Sequence, residues 1–143
     1  TTIIRYADLL LWKAEALIEL NRVAEALPII NDIRARAASS TGRLNGASIY
    51  NTGQYTTLGS QEEAREKLRW ERRLELGLEG WRFFDLVRWG IAKETLDAYQ
   101  AVEVTRTPYL IDYEFTAGKH EYMPIPQQQV ISSGFIYEQN PKY

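Results

Sequence analysis

Apolar residues near the start of the chain recur at intervals of three and four positions, the spacing of one face of an α-helix. These positions are Ile3, Ala7, Leu10, Leu11, Ala14, Leu17 and Ile18. Asn21 interrupts the pattern, and asparagine tolerates the left-handed conformation that ends many helices. A second helix is predicted from Val23 to Ala38. Its buried face comprises Ala26, Ile30, Ile33 and Ala37. Residues 1–38 are therefore predicted to form an antiparallel helical hairpin.

The hairpin has the spacing of a tetratricopeptide repeat, in which small residues, a turn and bulky residues follow a fixed order. The matching positions are Ala14, Leu17, Asn21, Ala26 and Ile30. An ordinary helical hairpin explains the same pattern equally well. Because three or more such repeats are normally needed to build a stable core, a lone repeat implies partner repeats elsewhere. On this reading the chain is a fragment, and an upstream N-terminal part of the same protein is its partner.

Residues 39–60 have a different composition, dominated by polar and turn-forming residues such as Asn45-Gly46 and Asn51-Thr52-Gly53. Such residues favour turns over regular structure. A long loop is predicted here, and loops of this length in compact domains are usually functional or disordered.

Residues 61–99 are predicted to be helices rich in charged and aromatic side chains. Ser60 and Glu63 have the spacing of a capping box, so a third helix is predicted from Gln61 to about Leu76. A short fourth helix is predicted from Trp81 to Trp89. Further helical turns are predicted from Ile91 to Tyr99.

The last segment, residues 100–143, is predicted to be mostly extended. Valine, threonine and tyrosine are frequent from Ala101 to Phe115, which favours extended segments or a β-hairpin. The two prolines of Met123–Pro126 also require extended backbone, because the residue before a proline avoids the helical region. One helical turn is predicted at Gln127–Ile131 and an ordered tail at Asn140–Tyr143. The expected fold class is all-α, with a small irregular or β-containing C-terminal segment.

Composition excludes several kinds of site. The chain has no cysteine, so disulfides and thiolate metal sites are excluded, and His120, the only histidine, has no second histidine for a zinc site. The formal net charge of −2 gives no electrostatic argument for nucleic acid. No phosphate-binding loop or nucleophile elbow is present. Neither a metal nor a cofactor is expected.

The block from Glu71 to Gly90 alternates acids and arginines among aromatic residues. The charged members that it places at helical spacing are Glu71, Arg72, Glu75, Arg82, Asp85 and Arg88. One interpretation is a carboxylate pair for acid–base chemistry or an arginine site for an anion. The favoured interpretation is structural: an arginine–carboxylate network that locks two helices together across a corner bounded by glycines, because each acid has an arginine within reach. Neighbouring arginines also oppose the raised pKa that a catalytic acid needs.

The same block resembles the E-R-x-x-E-L…E-G-x-R-x-x-D-L-x-R-W signature of the SusD/RagB family. The matching residues are Glu71, Arg72, Glu75, Leu76, Glu79, Gly80, Arg82, Asp85, Leu86, Arg88 and Trp89. Tyr6–Asp8 and Asn31–Ala37 resemble the family's preceding repeat helices. Met123–Pro126 and Gln139–Tyr143 resemble its closing segment, although Lys142 stands where glycine is usual. The resemblance covers nearly the whole chain in the right order.

The resemblance implies a mostly helical protein, anchored by an N-terminal lipid on the outer face of the outer membrane. Members of the family bind glycans or other nutrients without cleaving them. They pass the ligand to a SusC-like TonB-dependent transporter.

The ligand-binding candidates come from the residues alone, since no family motif transfers a binding residue onto this sequence. Tyr50, Asn51, Gln54 and Tyr55 combine aromatic faces for stacking on sugars with amides for their hydroxyls. The alternative is that these tyrosines anchor the loop to the helices. Tyr109 and Tyr113, with Asp112, form a second candidate.

Two rival functions remain open at the level of the sequence. A tetratricopeptide-like scaffold would bind only protein, and its loop would have no ligand. A helical glycoside hydrolase would need two carboxylates about 5–10 Å apart across a cleft and without arginine partners.

Overall fold

The computed structural model describes residues 4–39 and 50–143. The chain divides into two compact units, Thr1–Trp81 and Arg82–Tyr143. Within the described residues, none of the helices is long and apolar enough to cross a membrane.

The first unit contains three helices: α1 (Tyr6–Glu19), α2 (Val23–Ser39) and α3 (Gln61–Glu75). Helix α1 packs against both α2 and α3. The apolar stripe read from the sequence faces inward, and the fully buried side chains of the core include Leu11, Ala14, Ile18, Ala26, Ile30 and Ala64. Burial of this apolar area from water provides the main force that holds the three helices together.

The turn between α1 and α2 confirms the predicted hairpin. Asn21 has a φ of 58°, in the left-handed region that favours glycine and tolerates asparagine. The backbone N–H of Asn21 donates to the carbonyl of Ile18, and that of Arg22 donates to the carbonyl of Leu17. These bonds satisfy carbonyl groups that the end of α1 would otherwise leave without partners.

The start of α3 has the predicted capping box. The Ser60 hydroxyl accepts from the backbone N–H of Glu63 at 3.3 Å, and the Glu63 carboxylate accepts from the backbone N–H of Ser60 at 2.7 Å. Hydrogen bonding to the Glu63 carboxylate, first by the Ser60 backbone and next by the Ser60 side chain, lowers the pKa of Glu63. Glu63 therefore stabilises the fold fully when the pH is above its pKa in the unfolded chain. This stabilisation is lost as the pH falls through its pKa in the folded protein.

Ser60→Ala is expected to lower the free energy of unfolding by about 1 kcal/mol, because one N-terminal amide of α3 loses its acceptor. Urea unfolding followed by circular dichroism measures the change. Thr56→Ala, an exposed hydroxyl four residues earlier, is the matched control and should have little effect. Equal losses in the two variants would contradict a capping role for Ser60.

The second unit contains α4 (Arg82–Arg88), α5 (Ala92–Glu103), a 3-10 helix (Pro108–Asp112) and α6 (Gln127–Ser132). Its small core is formed by Leu86, Ala92 and Phe115. The helical turn predicted at Gln127–Ile131 is confirmed by α6.

The extended segments or hairpin predicted from Ala101 to Phe115 are wrong. Helix α5 continues through Glu103, the 3-10 helix follows at Pro108–Asp112, and neither described range contains a strand. Proline at the start of the 3-10 helix fixes a backbone angle that suits a helical turn. The carbonyls of Leu110 and Tyr113 accept from the side chain of Gln100 rather than from a strand partner. Tertiary hydrogen bonding thus overrides the β-propensity of valine, threonine and tyrosine.

The C-terminal tail is ordered by hydrogen bonds to earlier residues of its own unit. The Gln139 side-chain amide donates to the carbonyl of Ile125 and accepts from its N–H, both at 2.8 Å. The Tyr143 hydroxyl donates to the carbonyl of Tyr122 at 3.0 Å. Lys142 has a φ of 66°, in the left-handed region that favours glycine.

Candidate ligand-binding surfaces

A buried ion pair joins α3 to α1. The Arg72 guanidinium donates to the Asp8 carboxylate at 2.8 Å, and both side chains are 1% exposed. The guanidinium also lies 5.9 Å from the centre of the Trp12 ring. Buried charges persist only where they are paired and hydrogen-bonded, so each of these groups depends on the other.

Two further carboxylates of α3 are bound by arginines of the first unit. Arg34 of α2 and the Tyr55 hydroxyl both donate to Glu71, the tyrosine at 3.0 Å. Glu75 accepts from Arg5, which precedes α1, at 2.8 Å and from Arg36 of α2 at 2.5 Å. The acids of α3 therefore bridge to α2 and to the residue that precedes α1.

The six charged residues that the sequence pointed to are divided between the two units. Glu71, Arg72 and Glu75 lie on α3, whereas Arg82, Asp85 and Arg88 belong to the second unit, where Arg88 donates to Asp85 at 2.9 Å. Sequence reasoning missed the partners that α1, α2 and the residue before α1 supply. They are Arg5, Asp8, Arg34 and Arg36. The available signal was Asp8, a carboxylate inside the apolar stripe of α1, where an unpaired charge would be costly.

Tyr55 is attached to the helices by both its backbone and its side chain. The Asn31 amide donates to the Tyr55 carbonyl and accepts from the Tyr55 N–H, both at 2.9 Å. The Arg34 guanidinium lies 4.5 Å from the ring centre. Burial, and next the nearby Glu71 carboxylate, raise the pKa of Tyr55. These contacts are those of a residue that anchors the loop to the helices. They also engage the ring and the hydroxyl that a sugar would need.

The first loop, which is the loop predicted at residues 39–60, contains three other binding candidates, and these are more exposed than Tyr55. Tyr50 is 43% exposed, and Asn51 and Gln54 are also exposed. The predicted turn at Asn45-Gly46 lies outside the described residues. The structure thus separates Tyr55 from the three exposed members of the same candidate set.

Tyr109 and Tyr113 lie on a segment that runs beside α5. Tyr109 is 82% exposed and Tyr113 is 41% exposed. The Gln100 amide donates to the carbonyls of Leu110 and Tyr113 at 2.8 and 3.1 Å, so α5 fixes the backbone on which both rings are mounted. Burial, and next the charge of Asp97, raise the pKa of the Tyr113 hydroxyl. The arrangement offers aromatic faces on a fixed support, which suits stacking against an apolar ligand face.

Among residues 4–39 and 50–143, no cluster of three or more histidine, cysteine or acidic side chains has the arrangement of a metal site. His120 accepts from the backbone N–H of Thr116 through Nδ1 at 2.9 Å, and its ring packs edge-on against Phe115.

The SusD family model matches residues 1–143. SusD-like protein P38 of Formosa agariphila is 39% identical over 92 residues, which are 64% of this chain and 17% of that protein. SusD-like protein P2 of the same organism is 28% identical over 140 residues, which are 97% of this chain and 25% of that protein.

Solved structures give the same family and confirm the predicted helical fold. A SusD superfamily protein from Bacteroides vulgatus superposes with a TM-score of 0.73 at 28% identity, over 98% of this chain and 27% of its own. A SusD homolog from Bacteroides thetaiotaomicron superposes with a TM-score of 0.70 at 32% identity, over 99% of this chain and 26% of its own. The chain spans about a quarter or less of the length of these relatives.

Proposed function

We propose, since this chain belongs to the SusD family, that it is part of a non-catalytic protein that captures glycans or related nutrients at the cell surface. The captured ligand is passed to a SusC-like TonB-dependent transporter. A lipid anchor on the N-terminal part of the same protein holds it at the outer membrane. Affinity comes from aromatic stacking with a few hydrogen bonds in a largely preformed site.

The observation that carries the binding role is the pair of exposed tyrosines beside α5. Sugars present C–H faces that stack on aromatic rings, and a ring that is already fixed loses little entropy on binding. Tyr109 is the more exposed of the two, and its segment is bonded to α5 through backbone carbonyls. We therefore place the main sugar contact of this chain at Tyr109 and Tyr113.

The exposed members of the first loop form a second proposed contact. Tyr50, Asn51 and Gln54 offer one ring and two amides toward solvent. Tyr55 anchors this loop to the helices, because its hydroxyl donates to Glu71 and its ring contacts Arg34.

Absence of catalysis is supported by the environment of the acids in the charged block. The carboxylates of Glu71 and Glu75 accept hydrogen bonds from arginines. A glycosidase needs instead one carboxyl group that donates a proton and a second that attacks or activates water.

The experiment is affinity electrophoresis of the protein in gels that contain starch, laminarin, xylan, pectin or alginate. We expect at least one polysaccharide to retard the protein without releasing new reducing ends. The double variant Tyr109→Ala/Tyr113→Ala should weaken that binding about tenfold, because both stacking faces are lost.

Tyr137→Ala is the matched control, since Tyr137 is also an exposed tyrosine of the second unit. Its retardation should equal that of the unmodified protein. Retention of full binding by the Tyr109/Tyr113 variant would exclude this surface, whereas new reducing ends would overturn the non-catalytic function.

A further inference from the structure

Three polar residues of α5 share one face of the helix. Lys93, Asp97 and Gln100 are spaced at i, i+4 and i+7, and such positions lie above one another on a helix. Lys93 pairs with Asp97 at 2.8 Å, and its Nζ also donates to the carbonyl of Phe115 at 2.9 Å. This face therefore lies along the segment that carries the two tyrosines.

The two ends of that segment are attached to α5 in different ways. Near Phe115, the ring itself is 2% exposed and packs in the core with Leu86 and Ala92. Near Tyr109, none of the five residues of the 3-10 helix is fully buried, and only Leu110 among them is partly buried. The orientation of the Tyr109 end therefore depends mainly on polar contacts.

Gln100 supplies those contacts. Its side-chain nitrogen lies 2.8 Å from the Leu110 oxygen and 3.1 Å from the Tyr113 oxygen, with the Ile111 oxygen at 3.5 Å. A single 3-10 turn has few internal hydrogen bonds and poor hydrogen-bond geometry. One amide group that bonds a carbonyl inside the turn and another directly after it thus fixes the turn against α5.

We propose that Gln100 is a positioning residue for sugar binding, which acts by holding the Tyr109–Tyr113 segment in its binding orientation. The inference rests on the proposed function, since it deepens the role of the same surface. Gln100 raises the affinity for sugar by keeping the Tyr109–Tyr113 segment ordered, and it does not contact the ligand itself. A segment released from α5 would have to be ordered again when a sugar binds, and that cost would appear as weaker affinity.

The test compares two replacements of Gln100. Gln100→Leu keeps a similar volume but has no donor, and we expect it to weaken binding about tenfold on the polysaccharide that retards the protein most strongly. Gln100→Lys has an ammonium group with three donors on a flexible stem, so it can reach the same carbonyls. It should restore affinity to within about threefold of that of the unmodified protein.

Hydrogen exchange without any ligand gives an independent measurement. The backbone amides of Leu110 and Tyr113 donate to the carbonyls of Thr107 and Leu110. They should exchange faster in Gln100→Leu than in the unmodified protein and in Gln100→Lys. Unchanged exchange in Gln100→Leu would overturn the positioning role, whatever happens to affinity.

A double-mutant cycle separates positioning from a general structural effect. In the Tyr109→Ala/Tyr113→Ala background, Gln100→Leu should cause no further loss of binding, because there are no rings left to position. A further loss as large as that seen in the unmodified background would overturn the inference, but the proposed function in sugar binding would stand. If no polysaccharide retards the unmodified protein, the proposed function fails and the inference fails with it.

Discussion

Replacing Arg72 with methionine is expected to lower the free energy of unfolding of the first unit by about 3–5 kcal/mol, the range for breaking a buried ion pair from one side. The variant leaves the Asp8 carboxylate buried without its cation. One Asp8 oxygen, Oδ2, accepts no hydrogen bond from the described residues even with Arg72 present, so little compensation is at hand. Urea unfolding followed by tryptophan fluorescence measures the loss, with Trp12 close to the altered site.

The controls separate a buried pair from a surface charge. Arg73→Met removes an exposed arginine from the next position of α3, and the free energy of unfolding should change by no more than about 0.5 kcal/mol. The double variant Asp8→Leu/Arg72→Met should recover most of the lost stability, because neither charge of this pair remains buried. A cost below about 1 kcal/mol for Arg72→Met would contradict the account of a buried pair that we give.

The helices of the first unit were predictable because their signals are local. Apolar spacing located α1 and α2, Asn21 marked the turn, and the Ser60–Glu63 capping box marked the start of α3. Each signal acts within a few residues of the chain, so a single sequence contains it in full. The family signature predicted the helical fold for the same reason, since its motifs are contiguous.

The partners of the charged block were not predictable in the same way. Glu71 and Arg72 are adjacent in the sequence, yet they bond to Arg34 and Asp8, which lie on two different helices. Spacing along one helix shows which side chains share a face, but it does not show which helix meets that face. The error at 101–115 has a similar cause, because the Gln100 contacts that decide it join residues ten or more positions apart.

The tyrosine candidates show why composition cannot separate an anchor from a ligand contact. Tyr55 and Tyr109 are the same residue type, and both were binding candidates before the fold was known. In the structure the hydroxyl of Tyr55 donates to Glu71, whereas the Tyr109 side chain is 82% exposed. Only the tertiary position of each ring distinguishes them, so both roles remained open before the fold was known.

The first loop is anchored by an amide bracket, in which one side-chain amide of α2 bonds both the N–H and the carbonyl of the same loop residue. Asn31, the middle residue of α2, donates to the carbonyl of Tyr55 and accepts from its N–H. Lys67 of α3 holds the loop further along, because its Nζ donates to the carbonyls of Thr57 and Leu58. A leucine at 31 would remove both bonds of the bracket and leave two partly buried peptide groups without their partners.

Asn31→Leu is expected to cost about 2–3 kcal/mol of unfolding free energy, since two hydrogen bonds are lost and their backbone partners stay partly buried. Chymotrypsin should then cleave faster at Tyr50, Tyr55 or Leu58, because the loop opens more often without unfolding of the helices. Asn31→Asp keeps the acceptor for the Tyr55 N–H but lacks the donor for its carbonyl, so an intermediate cleavage rate is expected. Asn51→Ala, an exposed amide of the same loop, is the matched control. Equal cleavage of Asn31→Leu and Asn51→Ala would show that the bracket does not hold the loop.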